Sequence, residues 1–338
     1  MVRTPAPSVS APYRPAAALT LEGAGVWLVI PCYKVGDHIL NVLTKAPAWV
    51  EGIVCVDDAC PDGSGDLIEA SVTDPRVFVL RLAINQGVGG ATLAGYAEAV
   101  RRGARVLVKV DGDDQMDLGY MAHLVAPILL GEADYAKGNR FTLLTHLTAM
   151  PTVRVLGNAL LSFAAKLSTG YWNIFDPTNG YTALEAKVAR LILERRIAQR
   201  FFFETDLLYH LGVLRAVVRD VPMPAKYEDE TSRLRIGRIA LSFPIKYLRA
   251  MVKRLFYSYF LRDFNAATVQ FVLALLIGTA GVAFGVDKWM ESNATGVPAT
   301  SGAVMLAALP VMVAVQLLLA ALQYDLQNVP REPLQQRL

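Results

Sequence analysis

The chain has 338 residues, a formal charge of +3 at neutral pH, three cysteines and a hydrophobic fraction of 54%. So small a charge, with no long lysine or arginine tract, gives no reason to expect a nucleic-acid partner. The apolar fraction exceeds that of ordinary soluble domains and gathers after Asn265, which implies a soluble domain joined to a membrane anchor. Cys32, Cys55 and Cys60 are odd in number and lack metal-ligand spacing, so they are expected as free thiols in a reducing compartment.

Residues 1–24 are rich in Pro, Ala and Ser and lack the continuous apolar segment of a secretory signal; a disordered tail is expected there. From Gly25 short apolar runs alternate with helix-like stretches. Residues 26–30, 53–56, 77–82 and 106–110 read as buried parallel strands. Helices are expected near 37–45, 65–71 and 91–102. This order argues for an open α/β sheet, in which ligands bind at the carboxyl ends of the strands. Polar clusters fall at those ends: Pro31-Cys32-Tyr33, Asp57-Asp58 and Asp111 to Gln115.

Residues 134–224 continue as a mixed α+β region, with a Gly138-Asn139-Arg140 turn and an Asp176-Pro-Thr-Asn179-Gly180 loop. Over 235–264 apolar residues recur at Ile236, Ile239, Phe243, Tyr247, Met251, Leu255 and Tyr259. Arg235, Arg238, Lys246, Arg249 and Lys253 fill much of the remainder. This is a basic amphipathic helix suited to an anionic membrane surface, expected to be divided in two by Pro244.

Residues 266–286 and 302–322 are uncharged runs long enough to cross a bilayer, within a two-span segment at 265–325. The connection at 287–301 has Lys288 as its one basic residue, whereas the segment before the first span is strongly basic and Arg331 and Arg337 follow the second. The positive-inside rule then expects the catalytic domain and both termini, including the tail at 326–338, on the cytoplasmic side. Small residues over 278–285 would permit close helix packing, so self-association into a homo-oligomer stays open.

In Asp111-Gly112-Asp113-Asp114-Gln115 alternate residues would point the same way if the strand persisted, aiming Asp111, Asp113 and Gln115 at one Mg²⁺ or Mn²⁺ ion. Of Asp57 and Asp58, one carboxylate can accept from a nucleotide base while the other caps the following loop. Asn85-Gln-Gly87-Val-Gly-Gly-Ala91 opens a helix with small residues and could present backbone N–H groups to an anion. His38, His123, His146 and His210 share no spacing and are expected to be structural.

Taken in order, these segments resemble the family 2 glycosyltransferases of GT-A fold, in particular the dolichyl- and polyprenyl-phosphate sugar transferases. The resemblance rests on Val-Ile-Pro31-Cys-Tyr33, Val-Asp57-Asp58 with its Pro-Asp-Gly-Ser, Asn85-Gln-Gly87-Val-Gly-Gly-Ala and Asp111-Gly-Asp113-Asp-Gln115. Arg140, Asp176-Pro-Thr-Asn179-Gly-Tyr181, Phe203-Glu204 and Glu230-Thr-Ser232-Arg233-Leu234 extend it. It covers roughly residues 25–234 and continues in the paired C-terminal spans.

The resemblance implies an inverting transfer of sugar from a nucleoside diphosphate-sugar to a polyprenyl phosphate at the membrane. Pro31, Tyr33 and Asp58 would hold the base, and Asp57, Asn85, Gly87 and Asn179 would belong to the same substrate site. Asp111, Asp113 and Gln115 would serve the metal and diphosphate. Arg140, Arg154, Ser232 and Arg233 would receive the acceptor phosphate. The chain departs from the family at Val88, where lysine is common, at Gly157, where serine is common, and at Glu228 and Asp229, where a basic residue is usual.

A phosphate acceptor is ionised at neutral pH and needs no strong base, so positioning supplies most of the rate. A hydroxyl acceptor would need a carboxylate base, with Glu204 or Asp206 the candidates. Two other readings compete: a processive polysaccharide synthase, which would carry Gln-x-x-Arg-Trp and more spans, and a non-catalytic nucleotide-sugar-binding scaffold, against which the intact Asp-x-Asp-x-Gln stands.

Overall fold

A computed structural model describes residues 19–140, 152–223 and 236–338, with side chains at all of these except 37, 152–156, 158 and 236–242. The chain divides into two compact units. One comprises residues 1–162, 174–234 and Arg331–Leu338; the other comprises Phe163–Asn173 and Arg235–Pro330.

The first unit is built on a seven-stranded sheet of order β3-β2-β1-β4-β6-β5-β7. Strands β1 (Val26–Cys32), β2 (Gly52–Asp57), β3 (Val77–Arg81) and β4 (Val106–Lys109) pair in parallel, as their apolar runs require. Helices α1 (Gly36–Thr44), α2 (Ser64–Ser71) and α3 (Gly87–Arg101) make the crossovers. Gly95 lets α3 lie flat on the sheet, since a Cβ there would stand 2.3 Å from Val29 Cγ1. One core packs Leu28, Ile30, Ile39, Ile53 and Cys55 together with Leu124 and Ile128 of α4 (Met121–Leu129). Leu21 and Ala24 also pack against it, so the folded domain starts before residue 25; residues 1–18 of the expected tail lie outside the described residues.

The far half of the sheet mixes directions. β5 (Tyr135–Asn139) is followed by α5 (Thr152–Thr169), and β6 (Thr182–Glu185) runs antiparallel between β4 and β5. Helices α6 (Ala186–Leu193) and α7 (Phe203–Leu214) lead to β7 (Val218–Pro222), which is parallel to β5. Because β6 is reversed, its first residue, Thr182, pairs with Lys109 on one side and Lys137 on the other. The loop entering β6 therefore reaches the edge where the parallel strands end.

The C-terminal segment belongs to this unit as well. The buried carboxylate of Asp134 accepts from the backbone N–H groups of Val217, Leu334 and Gln335, each at 2.7 Å. The Gln335 side chain donates to the carbonyls of Ala133 (2.6 Å) and Ile128 (3.3 Å). The expected tail is thus a docked turn at Leu334–Gln336.

In the second unit α8 (Ile236–Phe256) runs unbroken through Pro244, contrary to the expected division. A proline inside a helix removes one hydrogen bond and crowds the preceding turn, which the surrounding turns can absorb. The interruption comes later, as a wider turn at Tyr257–Arg262. There follow α9 (Ala266–Thr295) and α10 (Ser301–Gln327), both long and apolar enough to cross a membrane. They outrun the expected spans. Asp287, Lys288 and Glu291 continue α9, with Lys288 paired to Glu291 at 2.6 Å. Gly278, Gly281 and Gly285 pack on Ala314, Pro310 and Ala307 of α10, so the small-residue stripe closes this hairpin itself. At its end Asp325 accepts from Trp172 Nε1 (2.8 Å) and pairs with Arg254 (2.7 Å). An apolar cavity of about 150 Å³ lies beside that pair, lined by Leu167, Met251, Leu255 and Phe271.

Candidate active site

The carboxyl ends of β1, β2 and β4 lie together at one edge of the sheet, as expected, and the turns there set their side chains. Near the end of β1 Pro31 is half-buried, and just beyond the strand Tyr33 is 43% exposed, so both offer surface at the strand end. The chain then turns at Lys34, whose φ is +58° and whose amide donates to Cys60 Sγ at 3.1 Å.

The two aspartates at the end of β2 are used internally. Asp57 Oδ1 accepts from Cys60 N at 2.8 Å and Oδ2 from Gly65 N at 3.0 Å, closing the intervening loop. Asp58 is buried, and its oxygens accept from Gln86 N (2.7 Å) and Gly87 N (2.8 Å). Asn85 Nδ2 donates to the Asp58 carbonyl at 3.2 Å. The carboxylates expected at the substrate thus shape the two loops around it.

The glycine-rich start of α3 is corrected in the same way. Its Gly89 and Gly90 amides donate to the Gln199 carbonyl at 2.8 and 3.1 Å, so these donors are spent within the protein and do not face an anion. The glycines are needed for closeness: a Cβ on Gly89 would stand 2.7 Å from Phe203 Cβ, and Gly87 has φ +83°.

The acidic segment after β4 is a turn. The strand ends at Lys109, and Asp114 adopts φ +60°, so the alternation expected of a continuing strand does not hold. Asp114 swings to α1, where it pairs with Lys45 at 2.6 Å and accepts from Asn41. Asp113 Oδ1 accepts from Gln115 N at 3.2 Å. Among the described residues no three His, Cys, Asp or Glu side chains cluster as a ready metal cage.

Asp111 meets a residue that sequence reasoning missed. Lys109 is 1% exposed; its Nζ lies 2.7 Å from Asp111 Oδ1, 3.3 Å from Glu204 Oε1 and 3.4 Å from the Gly180 carbonyl. Burial works against its charge, but Asp111 and Glu204 outweigh burial and hold the ammonium above its ordinary range. The available signal was a lysine ending an otherwise apolar strand, since a buried lysine needs a partner. Glu204, in the first turn of α7, is the other half of that pairing, while Asp206 accepts from Ala198 N at 2.7 Å.

The loop before β6 completes the edge. A Cβ on Gly180 would lie 2.6 Å from both Asp111 Oδ2 and Lys109 Nζ, so only glycine leaves room there. Asn179 is corrected from substrate contact to framework: its amide donates to the Gly138 carbonyl at 2.8 Å and accepts from Tyr181 N at 3.0 Å. Buried Asp176 holds Arg140, with Nε to Oδ2 at 2.8 Å, leaving the guanidinium side chain 38% exposed. Lys137, also buried, donates to the Asn179 carbonyl; burial pulls its ammonium down to about 8 although Glu204 and Asp176 act to raise it. Asp220 accepts from Asn139 Nδ2 and Phe175 N at 2.8 Å each, and burial lifts it to about 6. Arg154 falls on α5 without a described side chain, and Ser232 and Arg233 lie outside the described residues.

The order of strands and the acidic turn after β4 define a GT-A-type α/β domain. Residues 27–192 match the model of Glycosyl transferase family 2. The undecaprenyl-phosphate mannosyltransferase of Micrococcus luteus is 30% identical over 202 residues, spanning 59% of this chain and 82% of that one. The polyprenol monophosphomannose synthase of Mycolicibacterium smegmatis is 32% identical over 54% of this chain and 70% of its own. The UDP-N-acetylglucosamine–dolichyl-phosphate N-acetylglucosaminyltransferase of Methanococcus voltae is 26% identical over 68% and 96%. Among solved structures, glucosyl-3-phosphoglycerate synthase from Mycobacterium tuberculosis in complex with Mn²⁺, UDP-glucose and phosphoglyceric acid shares the fold, with a TM-score of 0.52, 18% identity, and 72% and 85% coverage. This chain belongs to glycosyltransferase family 2.

Proposed function

We propose that this enzyme moves a sugar from a nucleoside diphosphate donor to a polyprenyl phosphate, undecaprenyl or dolichyl, with inversion at the sugar carbon. The observation that carries the reading is the Lys109–Asp111–Glu204 group at the end of β4, with Gly180 packed closely against it. Relatives named for polyprenyl or dolichyl phosphate support the acceptor class.

The donor half follows from the loops. Pro31 and Tyr33 flank the base, and Asp57, Asp58, Asn85 and Gly87 fix the loops that bound it. Mg²⁺ and Mn²⁺ take hard oxygen donors, often one or two carboxylates plus substrate phosphates. Asp111 and Asp113 at the end of β4 are hard oxygen donors of this kind, and with Gln115 they would hold such an ion. When bound, the ion neutralises charge gathering on the leaving diphosphate.

The acceptor half rests on Arg140, held at a fixed angle by Asp176, with Arg154, Ser232 and Arg233 as further phosphate contacts. An acceptor phosphate oxygen forms the new bond to the sugar carbon as the old bond breaks, its electron pair leaving with the nucleoside diphosphate. No proton need be removed, so pairing Glu204 with Lys109 costs the reaction nothing. A hydroxyl acceptor would want Glu204 unpaired, and the geometry disfavours it.

Helices α9 and α10 cross the membrane as a hairpin; at most 11% of the most apolar stretch of either is buried, unlike the core helix of a soluble protein. The cavity beside Arg254 and Asp325 suits an apolar chain. The basic residues before α9 and after α10 support a cytoplasmic side for the catalytic domain and both termini, by the positive-inside rule. A donor screen tests the proposal: purified protein in detergent, polyprenyl phosphate, Mg²⁺ or Mn²⁺, and a panel of uridine, guanosine and other nucleoside diphosphate-sugars. Label in the lipid phase from one donor class supports it; transfer confined to water-soluble acceptors contradicts it.

A further inference from the structure

Resting on the reading of α9 and α10 as membrane spans, the geometry points to a second copy of this chain packed in parallel against the outer face of α10, joined through Gln316. This residue lies six positions before Leu322, about 9 Å inside the apolar run at 1.5 Å per residue. Its carboxamide is exposed and has no hydrogen-bond partner among the described residues. Ala307, Pro310 and Ala314 face α9. At about 100° per residue, Gln316 lies on the opposite side of the helix, beyond the reach of any group on α9.

The surrounding surface has the spacing of a helix–helix seam. Met305 (53%), Leu309 (48%), Met312 (63%) and Leu319 (54%) are exposed and alternate with Gln316 at steps of four and three. Gln323 falls seven residues further along the same stripe and is also exposed. A single polar residue in such a repeat fixes register and partner number, because a misaligned neighbour leaves it unpaired in hydrocarbon.

Depth selects the occupant. Two copies inserted in the same direction are related by an axis along the membrane normal, which sets every residue opposite its own counterpart. A carboxamide both donates and accepts, so Gln316 is complementary to itself at that depth.

The test places single cysteines on the seam (Met312→Cys, Leu319→Cys) and on its flanks (Leu306→Cys, Val315→Cys), with the parent chain as the background for the native thiols. Membranes are oxidised with copper–phenanthroline and resolved without reductant. The seam variants are expected to give a species of twice the chain's mass and the flank variants to stay near background. Adding Gln316→Leu to Met312→Cys should cut the yield about fivefold, the scale of one interhelical polar contact, and Gln316→Asn should restore part of it. No seam dimer, a yield indifferent to Gln316→Leu, or a cross-link to a protein of another mass overturns the proposal. Release of the chain by alkaline carbonate would instead overturn the membrane-span reading, which separates the two failures.

Discussion

The Lys109 ammonium lies 2.7 Å from Asp111 Oδ1, so the first carboxylate of the acidic turn is oriented by a cation buried in the strand before it. The same ammonium reaches Glu204 on α7, tying helix and turn through one charge. Lys109→Met should remove the tie and leave both carboxylates unbalanced. A loss of kcat/KM of about a hundredfold is expected, the scale of one preorganised electrostatic contact. Thermal unfolding should also fall, while near-normal turnover would show that Asp111 needs no such support.

Gly180→Ala tests the cradle beside Asp111. The new Cβ would stand 2.6 Å from Asp111 Oδ2 and Lys109 Nζ, closer than real contacts allow. The apparent affinity for Mn²⁺, followed by the metal's electron paramagnetic resonance, should fall at least about tenfold, near 1.4 kcal/mol.

Arg140→Ala should raise KM for the lipid acceptor more than it weakens donor binding. It also strips the charged partner from buried Asp176, so Asp176→Asn serves as the companion variant. Equal loss of donor affinity by calorimetry would remove Arg140 from the acceptor side.

Two buried groups set the pH response. Lys137 titrates at about 8 in the folded protein against an ordinary 10.5, so the unfolded chain binds more protons between those values. Stability should therefore rise with pH across that window, by about 3 kcal/mol at most. Lys137→Met should flatten the slope in melts run from pH 8 to 10. Asp220 has the opposite sense: lifted to about 6, it makes stability fall as pH rises from about 4 to 6.

Asp134 ties the chain's last residues to the catalytic domain. Asp134→Ala leaves three backbone donors without an acceptor, a cost of roughly 3 kcal/mol or more. A fall in Tm of several degrees is expected, with a smaller one on truncation after Pro330.

Half of this architecture was legible because local signals and tertiary structure agree. The apolar runs of β1 to β4 and the helices between them fall within a few residues of where periodicity places them. The reversed β6 was not legible: its four residues find their place through pairing with Lys109 and Lys137 on distant strands. The position of the acidic segment at the end of β4 was legible, yet its geometry was not, since Asp114 takes a left-handed conformation that alternation cannot anticipate. Lys109 was overlooked because a lysine at a strand end reads as a solvated terminus until Glu204, 95 residues away, is brought beside it. The hydrogen bonds of Asp57, Asp58 and Asn179 to Gly65, Gly87 and Gly138 were not legible, because they depend on loop closure.

The central claim is tested most directly by one transfer assay with labelled nucleoside diphosphate-sugar, polyprenyl phosphate and Mn²⁺, comparing wild type with Asp113→Ala. The account predicts a lipid-extractable sugar phosphate from the wild type, lost on chelation and in the variant. Undiminished lipid-linked product from Asp113→Ala, or none from the wild type with any donor, would contradict it.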